Sequence, residues 1–124
     1  MDTEQDVTTG REHCVVGEQW MGRRVVVSVS GTLDLLTAPQ LTDSIEMSLR
    51  KQPTVLIVDL SDVEFLASAG MSVLIEAHHA AAPDTRFAVV ADGPATSRPM
   101  KIIGLTDMVD LYPTLDEALA RFTD

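Results

Sequence analysis

The residues best placed to do chemistry lie around Ser68, within residues 55–78. The β-branched and aliphatic run over residues 55–60 is typical of a strand buried on both faces of a parallel sheet. Ser68, Ala69 and Gly70 then begin a segment whose apolar residues recur at helical spacing. Open α/β sheets usually place their recognition or reaction surface where a helix begins after the carboxyl end of a strand. The hydroxyl of Ser68 is therefore the first candidate functional group.

The residues alone suggest two uses for the Ser68 hydroxyl. Serine is among the preferred helix caps because its oxygen accepts an N–H bond from the first turn, so we expect capping first. A nucleophile would require an adjacent base, and the sequence places none beside Ser68. The acids that a small α/β enzyme would use are Asp34 and Asp59, but Asp59 is more simply an acceptor for nearby loop amides. We therefore predict that the chain is not an enzyme.

The sequence contains no pattern typical of a metal or cofactor site. His78 and His79 are adjacent, so they point to different faces of a helix. His13 is distant and Cys14 is the single cysteine, which leaves no zinc-binding spacing. Because Cys14 stands beside an apolar pair, we expect its thiol to be a small core residue. A G-x-S-x-G elbow, a phosphate loop and a dinucleotide fingerprint are also missing from the sequence. We predict neither a metal nor a cofactor.

Composition favours one acidic domain in a reducing compartment. The chain has 124 residues with 9 Lys and Arg, 19 Asp and Glu, and a formal net charge of −10. A surface of this sign does not suit nucleic acid, whose binding depends on basic residues. The sequence lacks the roughly 20 apolar residues that span a bilayer and lacks a secretory signal pattern. We predict a cytoplasmic protein that binds neither nucleic acid nor membranes, with a tail over residues 1–12 and one domain over residues 13–124.

Strand-type and helix-type segments alternate along the chain. β-branched runs between turn residues predict strands at residues 13–19, 23–30, 55–60, 86–91 and 109–112. Apolar residues at helical spacing predict helices at residues 37–51, 68–82, 97–103 and 115–122. Thr37 and Thr114 are the predicted caps of the first and last of these helices, and Pro39 fits the first turn. A hairpin turn is expected at Trp20, Met21 and Gly22. An initial hairpin followed by alternating helices and strands predicts an α/β fold with a mostly parallel open sheet and an antiparallel first strand.

Three blocks of sequence resemble one protein family. Residues 31–39, GTLDLLTAP, are similar to a G-x-L-D…T-A-x pattern, and residues 59–71, DLSDVEFLASAGM, to a D-L-x-x-V-x-F-[LIM]-D-S-[ST]-G-L signature. Residues 104–119 are similar to a closing G-L…V-[YF]-x-[ST]-x-x-E-A-L pattern. With these blocks in order over most of its length, the chain resembles the STAS domains of bacterial anti-sigma factor antagonists, the anti-anti-sigma proteins. The resemblance implies the STAS fold, with about five strands and four helices.

The resemblance also implies a switch rather than a catalyst. Such proteins bind an anti-sigma factor, often one with a GHKL-type serine kinase domain, and so free the sigma factor for transcription. Phosphorylation of the first serine of the signature ends that binding, and a metal-dependent serine phosphatase restores it. The matching position in this chain is Ser68, and Asp34 would lie near it at the partner surface.

The predicted partner surface combines the signature loop with the start of the first helix. Alanines stand at two positions where the signature has an aspartate and a second hydroxyl residue. An alternative function is a STAS module that binds a small ligand, such as a nucleotide or a lipid, or assembles a signalling complex without serine phosphorylation. The predicted contact residues are Asp34, Thr37, Ala67, Ser68, Ala69, Gly70 and Met71.

Overall fold

The structure, a computed structural model, describes residues 14–81 and 83–123. Its strands are β1 (Cys14–Met21), β2 (Arg24–Leu33), β3 (Val55–Leu66), β4 (Arg86–Val90) and β5 (Asp110–Tyr112). Its helices are α1 (Ala38–Arg50), α2 (Ser68–Ala81), α3 (Ser97–Ile102) and α4 (Leu115–Arg121), with a 3₁₀ turn at Leu105–Asp107. The predicted tail over residues 1–12, the strand start at His13 and the helix end at Ala82 fall outside the described residues.

The strands form one sheet in the order β1-β2-β3-β4-β5. β1 pairs with β2 in antiparallel fashion, and the other neighbouring strands are parallel. Each parallel connection runs through a helix, as a crossover between parallel strands requires. The arrangement confirms the predicted mostly parallel sheet with an antiparallel first strand.

Helices pack on both faces of this sheet. On one face, Leu41 of α1, Leu74 of α2 and Met100 of α3 join a large apolar cluster with inward-facing strand residues. On the other face, Phe122 at the end of α4 packs in a smaller cluster with residues such as Ile57. Strands covered on both faces read as continuous apolar runs, and each buried side chain of this size contributes about 1.5–3 kcal/mol. The two clusters hold the strand ends in place.

β3 is longer than the sequence predicts. The prediction ended this strand at Leu60 and placed a polar loop before Ser68, whereas β3 continues to Leu66. Within the extension, Val63 and Leu66 are buried and the residues between them are exposed, so burial repeats every three residues instead of every two. Two register shifts against β2 accommodate that spacing. Such bulges hide the alternation by which a strand is recognised from sequence.

Smaller differences occur at turns and helix ends. Trp20 and Met21 belong to β1, so the hairpin turns one residue later than predicted. Gly22 begins that turn with φ of 63°, which the first position of a type II′ turn requires. The hydroxyl of Thr114 accepts the N–H of Glu117 at 3.1 Å, which confirms Thr114 as the cap of α4. The 3₁₀ turn was not predicted.

Candidate functional site

The loops that lead into α1 and α2 meet at the carboxyl ends of β2 and β3. The N–H of Ala67 donates to the carbonyl of Leu33 at 2.9 Å. This hydrogen bond joins the residue after β3 to the last residue of β2. Asp34 follows Leu33, and Ser68 follows Ala67. The structure therefore places Asp34 and Ser68 at the same end of the sheet.

The loop before α1 is held by its own side chains. Asp34 Oδ1 accepts the N–H groups of Leu36 at 3.0 Å and Thr37 at 3.1 Å, and it lies 3.2 Å from the Thr37 hydroxyl. That hydroxyl accepts the N–H of Asp34 at 2.8 Å and donates to the carbonyl of Thr32 at 2.8 Å. Local bonds of this kind fix a turn. One carboxylate oxygen is thus committed to the loop, while no described residue donates to Oδ2.

Thr37 stands at the predicted cap position of α1, but its hydroxyl does not cap the helix. The side chain makes no bond to a first-turn N–H because it turns back toward Thr32. Thr37 is only 1% exposed, so it supports the loop from below. Pro39 lies in the first turn of α1, as the sequence predicts.

A buried thiol lies beneath the same loop. Burial raises the pKa of the Cys14 thiol, a hydrogen bond with Thr37 lowers that pKa by less, and the negative charge of Asp34 raises it. The net result is a pKa above the usual value for cysteine. Cys14 therefore remains a protonated core residue, which matches the prediction from the sequence.

α2 begins without a side-chain cap. The carbonyl of Ala67 accepts the N–H groups of Gly70 at 3.0 Å and Met71 at 3.2 Å, so Ala67 holds the cap position. Ser68 is the first helical residue, and its exposed hydroxyl makes no hydrogen bond within the described part of the chain. The expectation that Ser68 caps the helix is wrong, because the bond from Ala67 to Leu33 turns the chain one residue earlier.

Gly70 is required by close packing between α2 and the two strand ends. A Cβ at this position would lie 2.8 Å from Leu33 Cγ and 2.8 Å from Leu66 Cδ1. Both leucines are buried, so neither can move aside cheaply. The glycine therefore lets α2 begin directly against β2 and β3.

The predicted contact residues differ in how much of each is exposed to solvent. Ser68 is exposed, whereas Asp34, Ala67 and Ala69 are half-buried. The buried set consists of Thr37, Gly70 and Met71. The buried residues lie beneath the surface and position the exposed ones.

Three exposed apolar residues at this end of the sheet were not selected from the sequence. Leu35 and Leu36 are 78% and 79% exposed, and Phe65 is 55% exposed. The sequence signal for such a surface was the pair Leu35 and Leu36, which lies between a predicted strand and a predicted helix. Exposed apolar residues that lie together mark interaction sites more often than isolated ones do. Leu35 lines one cavity with Ala69 and Ser72 of α2, so we call Asp34, Leu35, Leu36 and Ser68 the Ser68 surface.

Of the two acids of the hypothetical enzyme, Asp34 lies at the same end of the sheet as Ser68, and Asp59 does not. Asp59 lies in the middle of the lengthened β3, seven residues before its end, or about 23 Å at the usual strand rise. Asp59 Oδ1 instead accepts the N–H of Ser61 at 3.0 Å and a short bond from the Ser61 hydroxyl. Asp59 therefore accepts a nearby amide as expected, but that amide belongs to the lengthened β3 and not to a loop.

Within residues 14–81 and 83–123, no cluster of three or more His, Cys, Asp or Glu residues could hold a metal ion. None of the helices in that part of the chain combines the length and the apolar character needed to cross a bilayer.

The chain belongs to the STAS domain family. The family model matches residues 17–118, which include all five strands except the beginning of β1. The resemblance noted in the sequence is therefore confirmed, together with the STAS fold that it implied.

Relatives with more specific descriptions share most of the chain. The anti-sigma-F factor antagonist RsfB of Mycobacterium tuberculosis is 39% identical over 94 residues, which are 76% of this chain and 77% of RsfB. The crystal structure of an anti-sigma factor antagonist from Mycobacterium paratuberculosis is 41% identical with a TM-score of 0.86, covering 90% of this chain and 95% of that one. The antagonist SpoIIAA of Bacillus, in its unphosphorylated form, is 19% identical with a TM-score of 0.69, covering 89% of this chain and 100% of that one. The likeness to SpoIIAA concerns the fold alone.

Proposed function

We propose that this chain is an anti-sigma factor antagonist, which binds an anti-sigma factor and so releases a sigma factor. The observation that carries this proposal is its 41% identity and TM-score of 0.86 to the Mycobacterium paratuberculosis antagonist. The 39% identity to RsfB supports it. The Ser68 surface is the proposed contact, because Leu35 and Leu36 offer exposed apolar area there and Asp34 offers an uncommitted carboxylate oxygen.

We propose further that phosphorylation of Ser68 ends this binding. A phosphate adds about −1.5 to −2 charges. The helix start tolerates an anion, since its dipole favours negative charge by about 0.3–1 kcal/mol, and by about 2 kcal/mol when partly buried. The fold therefore stays intact, and the phosphate acts on the partner. Charge and bulk inserted between two packed surfaces weaken binding when no cation of the partner lies opposite.

The kinase in this proposal meets an unusual helix start. Ala67 and Ala69 flank Ser68 with small uncharged side chains, where the family signature has a carboxylate and a second hydroxyl. Recognition of the hydroxyl would therefore depend on the neighbouring Leu35 and Leu36 rather than on an adjacent acid. In the same proposal the anti-sigma factor is a GHKL-type serine kinase, and a metal-dependent serine phosphatase removes the phosphate. The protein itself is proposed to be a cytoplasmic regulator without catalytic activity of its own.

The test is incubation of the purified chain with candidate kinase anti-sigma factors and Mg-ATP. Intact mass and peptide mapping would locate any phosphate, and a pull-down before and after the reaction would measure binding. Ser68→Ala removes the proposed acceptor. Ser72→Ala, one helical turn further along an exposed face of α2, is the matched control.

The outcomes separate the parts of the proposal. Phosphate on Ser68 with loss of binding supports both the antagonist and the switch. Stable binding without modification keeps the antagonist and rejects the serine switch. Failure to bind any anti-sigma factor, together with nucleotide or lipid affinity of the isolated chain, would replace the proposal with a ligand-binding module.

A further inference from the structure

A groove runs between α1 and α2 on the outer side of the helical layer. Two cavities, of about 470 Å³ and about 110 Å³, share Thr42, Val73 and Glu76 and therefore form one continuous depression. Its wider end is lined by Leu35, and its narrower end reaches Leu49. α1 has 13 residues, so the groove can extend about 20 Å, or three to four turns of a helix.

The groove has an apolar floor and acidic rims. Ile45 and Val73 contribute to the floor. Asp43 and Glu46 line one side from α1, and Glu76 lines the other from α2. All three acids are exposed, and neither cavity is lined by a Lys or Arg of the described chain. The potential along the groove is therefore negative on both sides of an apolar strip.

We propose that this groove docks an amphipathic helix of a partner protein whose apolar stripe is flanked by Lys or Arg. An open groove of this length matches the recognition mode in which a helix inserts residues at i, i+3, i+4 and i+7. Basic flanks would complement Asp43, Glu46 and Glu76. A nucleic acid or an anionic membrane is disfavoured, because the rims and the net charge of −10 repel it.

The groove adjoins the Ser68 surface, with which it shares Leu35, but the proposed docking does not require an unmodified Ser68. Ala69 and Ser72 line the wider end, so a phosphate on Ser68 would add negative charge next to the groove. A basic helix would be attracted by that charge rather than expelled. The groove therefore keeps its ligand in the state in which the Ser68 surface is proposed to lose its partner, and the two proposals can fail separately.

The experiment is a titration of the full chain with three synthetic peptides of about fifteen residues, close to the length of α1. The first carries Leu at helical stripe positions and Lys elsewhere. The second has the same composition with the Leu positions scrambled, and the third has Glu in place of Lys. Amide NMR shifts would map the site, and fluorescence anisotropy would give affinities. We expect the first peptide to bind at least about tenfold more tightly than either control, with shifts concentrated on α1 and α2.

Paired charge reversals test the location. We expect the double variant Glu46→Lys with Glu76→Lys to weaken binding of the first peptide by about tenfold or more. The variant Asp110→Lys with Asp116→Lys has the same net charge and should change it less than about threefold. Ser68→Glu should not weaken it. Melting temperatures would verify folding, and Ala80→Trp, which fills the narrower end, is a second groove variant.

Three results would overturn the proposal. Equal weakening by both pairs of reversals would mean general charge attraction. Shifts centred away from α1 and α2 would place the site elsewhere. Equal affinity for striped and scrambled peptides would mean that no helical stripe is recognised.

Discussion

α1 and α2 begin side by side at one end of the sheet, yet their starts are built in opposite ways. At α1, the side chains of Asp34 and Thr37 exchange hydrogen bonds with the loop backbone and with each other. At α2, the Ser68 hydroxyl has no partner among the described residues. One start uses its polar groups for structure, and the other leaves them exposed.

The difference supports the proposed phosphorylation of Ser68, which requires a modifiable group on a rigid domain. A hydroxyl that stabilises nothing can be modified without unfolding the protein, and the neighbouring loop holds the surrounding surface in a fixed shape. Gly70 adds to this by seating α2 directly on Leu33 and Leu66. Substitutions at the two helix starts should therefore separate stability from binding.

The largest effect on stability is expected at the start of α1. Asp34→Ala removes the acceptor of the Leu36 and Thr37 N–H groups and should lower the free energy of unfolding by about 2–3 kcal/mol. Asp34→Asn keeps one oxygen acceptor and should cost less than half as much. Urea denaturation of both variants would measure the difference. A loss below about 0.5 kcal/mol for Asp34→Ala would contradict the structural role of this loop.

Gly70→Ala should be the most damaging small substitution at the start of α2. Overpacking against Leu33 and Leu66 costs about 1–3 kcal/mol, which exceeds the gain of up to about 1 kcal/mol from alanine in a helix. With the middle of the first range and the full helix gain, the expected net loss in the free energy of unfolding is about 1 kcal/mol. Gly17→Ala is the matched control, since a Cβ there would meet nothing within 4 Å. Equal stability of the two variants would show that the packing is looser than described.

A weaker, pH-dependent effect is expected from Cys14. Its pKa is raised in the folded protein, mainly by burial, so the unfolded chain loses this proton first as the pH rises. The free energy of unfolding should therefore fall as the pH rises above the unfolded value of about 8.5, and the fall should end above the folded pKa. Denaturation between neutral and alkaline pH, with Cys14→Ala as the non-titrating control, would isolate this contribution. Identical pH profiles would contradict it.

Ser68→Ala should have the smallest effect on stability. The hydroxyl is exposed and makes no hydrogen bond with a described residue, so the free energy of unfolding should change by no more than about 0.5 kcal/mol. Urea denaturation beside Asp34→Ala gives the comparison directly. A loss above about 1 kcal/mol would mean that Ser68 caps α2 after all.

Much of the fold was predictable from sequence because local and global signals agree. The buried run at residues 55–60, Pro39 in the first turn of α1 and the Thr114 cap each carry a clear local pattern. The continuation of β3 to Leu66 was not predictable by alternation, because two register shifts place its buried residues three apart. Pairing with β2, which is remote in sequence, determines that segment.

The candidate site was predictable in position but not in detail. The helix start at Ser68 was predicted, while the cap was misassigned by one residue because the bond between Ala67 and Leu33 joins segments far apart in the chain. The exposure of Leu35 and Leu36 depends on the turn that Asp34 and Thr37 impose. Residue types alone do not reveal such a turn.

The most direct measurement is the affinity of a cognate anti-sigma factor for the unmodified chain, Ser68→Glu, Ser68→Gln and Ala120→Glu. Ser68→Gln adds bulk without charge, and Ala120→Glu adds a charge on an exposed position of α4. We predict that Ser68→Glu binds about 100-fold more weakly, or about 2.7 kcal/mol, that Ser68→Gln is intermediate, and that Ala120→Glu is unchanged, with melting temperatures alike. Undiminished binding by a folded Ser68→Glu variant would contradict the central claim that the exposed Ser68 hydroxyl is the switch.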